Sequence, residues 1–391
     1  MLEQYAKWGR VKNCMRELTA YGNARKAEIG ADKVFDFSLG SPSAPVPAAV
    51  WQAMREAALR PDVHEPTPPE GLPALRDAVA ADLNRRWDLG LTREEIRIVT
   101  GAAGGLAVCA QALLHPGDEA IVLVPYFTEY RVFIEGAGGV AVEVPPLPDM
   151  QPDLDALAEA VSERTRFVLV NTPNNPSGAI LSEESLGRMA EILREKGERF
   201  GRPICLISDE PYRELCYDRE QIPSVMKACK NTIVCYSFSK SLSLPGERIG
   251  YLAVHPAIAE RETVLAALDD ASRDLGYCAA PSLMQHAMTG CVGLTADLSL
   301  YRENRDLLYG ALKEMGYDCI KPEGAFYLFV KAPIDDAKVF SEAAKKHELL
   351  LVPSDDFGIR GYLRLAYCVP NETIRRSLPA FRALAREYGL C

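Results

Sequence analysis

The sequence has little of what a metal site, a nucleic-acid surface or a membrane span requires. Its five histidines and eleven cysteines are scattered, without the close pairs that usually bind zinc, so we expect no metal. The net charge is −10 and no basic run is longer than a pair such as Arg85-Arg86, which argues against a nucleic-acid partner. No apolar run reaches the ~18 residues of a membrane span. The N-terminus is polar and lacks the apolar core of a signal peptide. We therefore expect a cytoplasmic protein with reduced thiols.

The composition is that of a globular protein, with 391 residues, 48% hydrophobic and 25% charged. Seven short apolar runs alternate with helical patterns through the middle of the chain. The predicted strands are Ile96–Thr100, Ala120–Val124, Ala141–Val144, Phe167–Asn171, Ile204–Ser208, Ile233–Ser237 and Tyr251–Val254. Strands that are apolar throughout and separated by helices predict a mostly parallel sheet with helices on both faces. Ligands on such sheets bind at the carboxyl ends of the strands.

The two ends of the chain predict a second, smaller unit. The first 45 residues contain a helical segment and a loop, and a long helical region follows about residue 283. Three short strands come after it, predicted at Gly324–Val330, Leu349–Pro353 and Tyr362–Tyr367. We expect a large domain over residues 46–282 and a small α+β domain built from residues 1–45 and 283–391.

The most specific segment is Tyr236–Gly250, which begins within a predicted strand and contains Ser-Phe-Ser-Lys and, further on, Gly-Glu-Arg. A lysine at the end of a buried strand is costly unless it is paired or its charge is removed. Formation of an imine with an aldehyde cofactor removes that charge. The neighbouring serines and Arg248 suit a phosphate group, because arginine supplies a planar fork of donors. Lys240 is therefore the candidate for a covalent attachment to a phosphorylated aldehyde.

Three further segments follow predicted strands. Asp209, in Ser-Asp-Glu-Pro-Tyr, could pair with a protonated pyridine nitrogen, although an aspartate here is also a common helix cap. Tyr212 could donate to a phenolate oxygen. The loop Asn171–Gly178 could hold an amide, and the small residues Thr100–Gly105 open a helix whose amides could bind phosphate, but both are also ordinary turn and packing sequences.

The order of these four segments and the residues within them resemble those of the fold type I enzymes that use pyridoxal 5′-phosphate (PLP). The resemblance is specifically to the class I/II aminotransferases related to aspartate aminotransferase. The resemblance covers nearly the whole chain. It implies that residues 46–282 bind PLP, that Lys240 is the attachment and proton-shuttling residue, that Asp209 holds the pyridine nitrogen and that Tyr212 contacts the phenolic oxygen. The remaining cofactor contacts that the resemblance implies are Ala102, Ala103, Phe127, Asn175, Ser237, Ser239 and Arg248.

On the substrate side the resemblance implies that Arg364 binds the α-carboxylate, that Gly40 closes over it and that Asn175 also contributes. The chain departs from the family at two positions. Pro66 stands where relatives have a tyrosine that reaches the partner's cofactor phosphate, and Ala103 stands where some have a lysine for a distal carboxylate.

Three charged residues are further candidates for contact with the substrate side chain. Arg16 and Arg273 could substitute for the missing lysine, although either could equally be an ordinary surface arginine. Asp355 would disfavour a dicarboxylate substrate if its side chain points into the site, and it could instead be a solvated loop residue.

The function implied by the resemblance is transfer of an α-amino group from an amino acid to a 2-oxo acid through aldimine, quinonoid and ketimine intermediates, in a homodimer with shared active sites. The alternative is a PLP-dependent lyase or C–C bond-forming enzyme on the same fold that performs β- or γ-elimination or replacement, which Pro66 and Asp355 keep open. A non-catalytic PLP-binding module of a transcription regulator is disfavoured by the acidic charge.

Overall fold

A seven-stranded sheet forms the centre of the molecule, described here from a computed structural model. The structure describes residues 14–391 together with Glu3, Ala6 and Trp8. In spatial order the strands of the sheet are β2 (Ile96–Val99), β8 (Gly250–Val254), β7 (Thr232–Ser237), β6 (Cys205–Asp209), β5 (Thr165–Asn171), β3 (Glu119–Leu123) and β4 (Val140–Val144). β8 runs opposite to the other six strands, so its pairings with β2 and β7 are antiparallel and the remaining pairings are parallel. The predicted mostly parallel sheet is confirmed, and its strands lie within a residue or two of the predicted ranges.

Fourteen helices can be bounded in the described part of the chain. They are α1 (Cys14–Ile29), α2 (Ala48–Ala58), α3 (Pro73–Trp87), α4 (Gly101–Leu113), α5 (Glu129–Gly136), α6 (Leu154–Ala160), α7 (Glu183–Phe200), α8 (Val225–Ala228), α9 (Phe238–Ser241), α10 (Arg261–Asp274), α11 (Ser282–Thr289), α12 (Ser299–Glu314), α13 (Ala337–Lys345) and α14 (Asn371–Glu387). In this part of the chain none of them combines the length and hydropathy that crossing a bilayer requires.

The central strands are buried along their whole length, which explains why their sequences do not alternate between polar and apolar residues. Every residue of β6, β7 and β8 is buried. One apolar cluster packs on one face of the sheet, where α4 and α10 lie, and a second packs on the other, where α3 and α11 lie. Layers on both faces leave the carboxyl ends of the parallel strands as the accessible edge.

The C-terminal part carries two smaller sheets. Four antiparallel strands follow the order β12 (Val352–Pro353), β13 (Tyr362–Ala366), β10 (Tyr327–Lys331) and β9 (Cys319–Ile320), and β1 (Phe35–Asp36) pairs in parallel with β11 (Leu349–Leu350). The predicted small α+β unit is thus present, and β1 ties the N-terminal segment to it. The domain limits at residues 46 and 283 remain a prediction.

Two details differ from the predicted strands of this part. β10 begins at Tyr327 and not at Gly324, because the amides of Gly324 and Ala325 donate to carbonyls of Gly178 and Leu215 instead of joining the ladder. The predicted strand Leu349–Pro353 divides at Leu351, since its first half pairs with β1 and its second half with β13.

Candidate active site

A cavity of about 290 Å³ opens at the carboxyl ends of the parallel strands, against the four-stranded sheet. Most of the residues that the sequence nominated line it. They are Gly40, Ala102, Ala103, Phe127, Asn175, Asp209, Tyr212, Ser237, Ser239, Lys240, Arg248 and Arg364. A larger surface groove of about 910 Å³ beside α7 contains none of these residues. In the described residues no three metal-binding side chains converge.

Lys240 lies in the single helical turn that follows β7. Its Nζ donates a hydrogen bond to the carbonyl oxygen of Gly40 at 2.7 Å, and it lies 5.8 and 5.5 Å from the ring centroids of Tyr212 and Phe326. Burial of the amine in this enclosure lowers the pKa of Lys240 to about 8. A useful fraction of the amine is therefore uncharged near neutral pH, which a nucleophilic lysine requires.

Asp209 ends β6, and its carboxyl group is buried in the same cavity. One oxygen, Oδ2, accepts a hydrogen bond from the Tyr130 hydroxyl at 2.5 Å. The other, Oδ1, is buried and has no partner among the described residues. Burial raises the pKa of Asp209 to about 7, and the carboxylate of Glu210 adds to this, while Tyr130 and Lys240 act in the opposite direction. A buried acceptor without a donor is costly unless a ligand supplies one.

The Asn171–Gly178 loop connects the backbone of Asp209 to the small sheet. The side-chain amide of Asn171 donates to the carbonyl of Asp209 at 2.9 Å, and its oxygen accepts the backbone N–H of Asn175 at 2.7 Å. Asn175 Oδ1 in turn accepts from Arg364 Nη1 at 3.1 Å. This chain of bonds holds the loop in one position between the central sheet and β13.

Hydroxyl and amide groups also line the cavity. Ser237 and Ser239 join through their hydroxyls at 2.7 Å, and Ala102 is in the first turn of α4. Gly101, which opens that helix, has φ +76°, and a Cβ there would lie 3.1 Å from Arg248 Nη2. The left-handed conformation and the close guanidinium explain why glycine stands at this position. Helix amides, hydroxyls and a guanidinium are the kinds of donor that could hold a phosphate group.

Arg364 is 2% exposed and points into the cavity from β13. Its Nη2 donates to the carbonyl of Ser38 at 2.7 Å, and its guanidinium lies between the rings of Tyr327 and Phe357, at 4.7 and 5.1 Å from their centroids. Its Nε is buried without a partner in the described chain. An arginine fixed between two rings and a carbonyl suits recognition of a carboxylate.

Three nominated residues do not reach the cavity. Arg16 is exposed on α1. Arg273 lies at the exposed end of α10, where its guanidinium pairs with Asp270 at 2.6 Å. Asp355 lies 3.5 Å from Lys338 Nζ. The single chain therefore does not bring these three charges to the substrate side of the site.

Four residues at the site were missed by the sequence reasoning. Tyr130 lies three residues after Phe127, which the sequence analysis did predict for the site. Asn171 is the last residue of a predicted strand, and that position was a signal from which it could have been found. Tyr327 bonds the Tyr212 hydroxyl at 2.9 Å from the small sheet, and Met15 reaches the cavity from α1. Nothing local in the sequence marks these last two, because tertiary packing alone brings them to the site.

Comparison with known proteins decides the family. A family model described as "Aminotransferase class I and II" matches residues 32–381. This chain belongs to that family. The predicted aminotransferase is confirmed: the protein is a PLP-dependent enzyme that transfers an α-amino group from an amino acid to a 2-oxo acid. The family uses PLP, and its substrates are amino and keto acids.

Individual relatives agree with this assignment. The chain is 32% identical to the aspartate/prephenate aminotransferase of Thermus thermophilus over 386 residues, which cover 96% of this chain and 98% of the relative. An aminotransferase crystal structure from Eubacterium rectale is 44% identical, with a TM-score of 0.96 over 99% of this chain and 98% of the other. The T. thermophilus aspartate aminotransferase with maleate superposes with a TM-score of 0.85 at 28% identity, covering 95% of this chain and 97% of the other.

Proposed function

We propose that this aminotransferase holds PLP in the cavity at the carboxyl ends of the strands, attached through Lys240 Nζ. The observation that carries the proposal is that Asp209 Oδ1, in the same cavity as the lysine amine, has no hydrogen-bond partner among the described residues. A protonated pyridine nitrogen would supply the missing donor, and its positive charge would stabilise the ionised form of a carboxyl group whose pKa burial raises. The residues present therefore fit the cofactor.

PLP, when bound, supplies an aldehyde that condenses with amines and an electron-withdrawing ring that acidifies the substrate Cα–H. Lys240 is the base that takes the Cα proton and returns it, since its lowered pKa lets the amine exchange a proton near neutral pH. Asp209 keeps a proton on the ring nitrogen, and Tyr130 orients that carboxylate through its hydrogen bond at 2.5 Å.

The other cavity residues hold the cofactor in place. Phe127 would pack against the ring, and Asn175 and Tyr212 would bind the phenolic oxygen. Ser237 and Arg248 would hold the phosphate. The remaining phosphate contacts in this proposal are the amides of Ala102 and Ala103 and the hydroxyl of Ser239. All of these residues line the cavity that also contains Asp209 and Lys240.

Arg364 binds the α-carboxylate of the substrate, and the loop at Gly40 closes beside it. The unpartnered Nε and the fixed guanidinium plane support this role, because a carboxylate takes two parallel hydrogen bonds from such a fork. A Cβ on Gly40 would overlap the Tyr327 hydroxyl, so only glycine lets this loop approach the site.

The domain division, the oligomeric state and the cellular location proposed for this protein follow the family expectation. We propose a large PLP-binding domain over residues 46–282, a small domain from residues 1–45 and 283–391, and a homodimer. Trp51 and Leu59, on or next to α2, are 52% and 85% exposed and support an interface on that face. All eleven cysteines are free thiols, as in proteins of the cytoplasm.

A half-reaction on the PLP-loaded protein tests the function. An amino acid should convert the bound cofactor to its pyridoxamine form, followed by absorbance, and should release the corresponding 2-oxo acid. A lyase would instead return PLP unchanged and release a fragment of the substrate side chain. Lys240→Ala should show no imine absorbance, with Val339→Ala on the exposed face of α13 as control. An imine signal in Lys240→Ala would overturn the assignment of the attachment residue.

A further inference from the structure

Tyr327 lies where the small four-stranded sheet meets the cavity. It is the first residue of β10, it is 2% exposed, and it lines the cavity that contains Lys240 and Asp209. Its hydroxyl forms a hydrogen bond with the hydroxyl of Tyr212 at 2.9 Å. Tyr212 is buried as well, so this bond lies in a region of low dielectric constant, where a hydrogen bond is stronger than in water.

The number of protons in this pair of hydroxyls fixes the direction of the bond once the cofactor is bound. Each tyrosine hydroxyl has one proton to donate and lone pairs with which to accept. The proposed function directs the proton of Tyr212 to the phenolic oxygen of the cofactor. Tyr212 then has no second proton for its neighbour, so the bond at 2.9 Å is donated by Tyr327 and accepted by Tyr212.

The surroundings of Tyr327 favour this direction. The guanidinium of Arg364 lies over its ring, at 4.7 Å from the centroid. Burial raises the pKa of Tyr327 to about 12, and the positive charge of Arg364 is the largest influence in the opposite direction. A nearby cation makes a hydroxyl a better donor, because it stabilises the negative charge that develops on the oxygen. The ring also packs edge-on against that of Tyr212, with centroids 5.7 Å apart, which holds the two hydroxyls in register.

We propose that Tyr327 is a positioning residue that acts through Tyr212: it donates to the Tyr212 hydroxyl and so directs the Tyr212 proton to the phenolic oxygen of the cofactor. The proposal rests on the proposed function, because it takes Tyr212 as the contact of that oxygen. Hydrogen bonds in a chain polarise one another, so the donation from Tyr327 should strengthen the next bond by about 10–30%. A stronger bond withdraws negative charge from the phenolic oxygen, which otherwise attracts the imine proton. The imine therefore loses its proton at a lower pH.

The pH midpoint of the imine absorbance change measures this effect on protein loaded with excess PLP, without any substrate. In Tyr212→Phe the midpoint should rise by about one to two pH units, as expected for loss of a hydrogen bond to a charged group. In Tyr327→Phe it should rise by about 0.2 to 0.5 pH unit. In the double variant Tyr212→Phe/Tyr327→Phe it should equal that of Tyr212→Phe, because the second hydroxyl acts only through the first.

Tyr317→Phe is the matched control. That tyrosine is also buried, but its hydroxyl donates to the backbone carbonyl of Phe381 at 2.9 Å and it does not line the cavity, so its midpoint should be that of wild type. An unchanged or lower midpoint in Tyr327→Phe would overturn the inference and leave the proposed function standing. The same holds if Tyr327→Phe adds an equal rise when Tyr212 is already phenylalanine.

Two further outcomes reach beyond Tyr327. A midpoint in Tyr212→Phe equal to that of wild type would remove Tyr212 from the phenolic oxygen and overturn the inference. Absence of imine absorbance in the wild-type protein would overturn the proposed function, and the inference with it.

Discussion

Replacement of Asp209 by asparagine should stabilise the cofactor-free protein and at the same time remove its ability to use the cofactor. The carboxyl group is buried, with one oxygen bonded to the Tyr130 hydroxyl and the other without a partner in the part of the chain that the structure describes. Its pKa is about 7 in the folded protein, compared with 3.8 for an ordinary aspartate. Asparagine has nearly the same shape, keeps an oxygen for Tyr130 and carries no charge.

The sign and size of the effect follow from the proton balance. Between about pH 4 and pH 7 the unfolded chain has released the proton of Asp209 while the folded protein still holds it, so the free energy of unfolding falls as pH rises. This decrease in the free energy of unfolding is complete above about pH 7. A pKa difference of this size between the folded and the unfolded protein corresponds to about 4 kcal/mol of unfolding free energy. The stability of Asp209→Asn relative to wild type should therefore increase by up to about that amount from acid to mildly basic pH.

Urea unfolding of the cofactor-free proteins, followed by tryptophan fluorescence from pH 5 to pH 8, measures this difference. Asp270→Asn is the control, because that side chain is 74% exposed and should show little dependence on pH. Added PLP should stabilise wild type more than Asp209→Asn, so that wild type becomes the more stable of the two proteins. A stability difference between Asp209→Asn and wild type that does not change with pH would refute the argument.

Three further predictions concern the same cavity. The rate of PLP attachment to the cofactor-free protein should rise with pH and level off above about 8, the pKa of Lys240, in stopped-flow absorbance; a rate still rising at pH 10 would contradict the lowered pKa. Arg364→Lys should lower kcat/KM about ten- to a hundredfold by loss of the two-pronged contact, with PLP affinity unchanged, and weaker PLP binding would count against its assignment to the substrate. Tyr130→Phe removes the hydrogen bond to Asp209 and should weaken PLP binding about tenfold in equilibrium titration. Tyr126→Phe removes a bond to Glu143 and should leave PLP binding unchanged. If both substitutions weaken PLP binding equally, the hydrogen bond from Tyr130 does not support the cofactor through Asp209.

Much of the architecture could be predicted from the sequence because the central strands are buried on both faces. Such strands are continuous apolar runs that end at polar residues, so the run through Ile233 and the one before Asp209 were recognisable without any tertiary information. The same logic nominated Lys240, since a charged residue directly after a buried strand must be explained. The split at Leu351 could not be predicted, because the two halves of that run pair with strands distant in the sequence.

The sequence by itself predicted the family and the residues proposed to hold the cofactor, because these residues stand in local motifs at the ends of strands. Tertiary structure alone decided which other side chains complete the wall of the cavity. It brought Met15 and Tyr327 to the cavity from a helix and a sheet that are far apart in the chain, and it kept Arg273 away, paired with Asp270 on the surface. The physical reason is that a strand end is defined by local burial and hydrogen bonding, whereas a pocket wall depends on which distant side chains pack against each other.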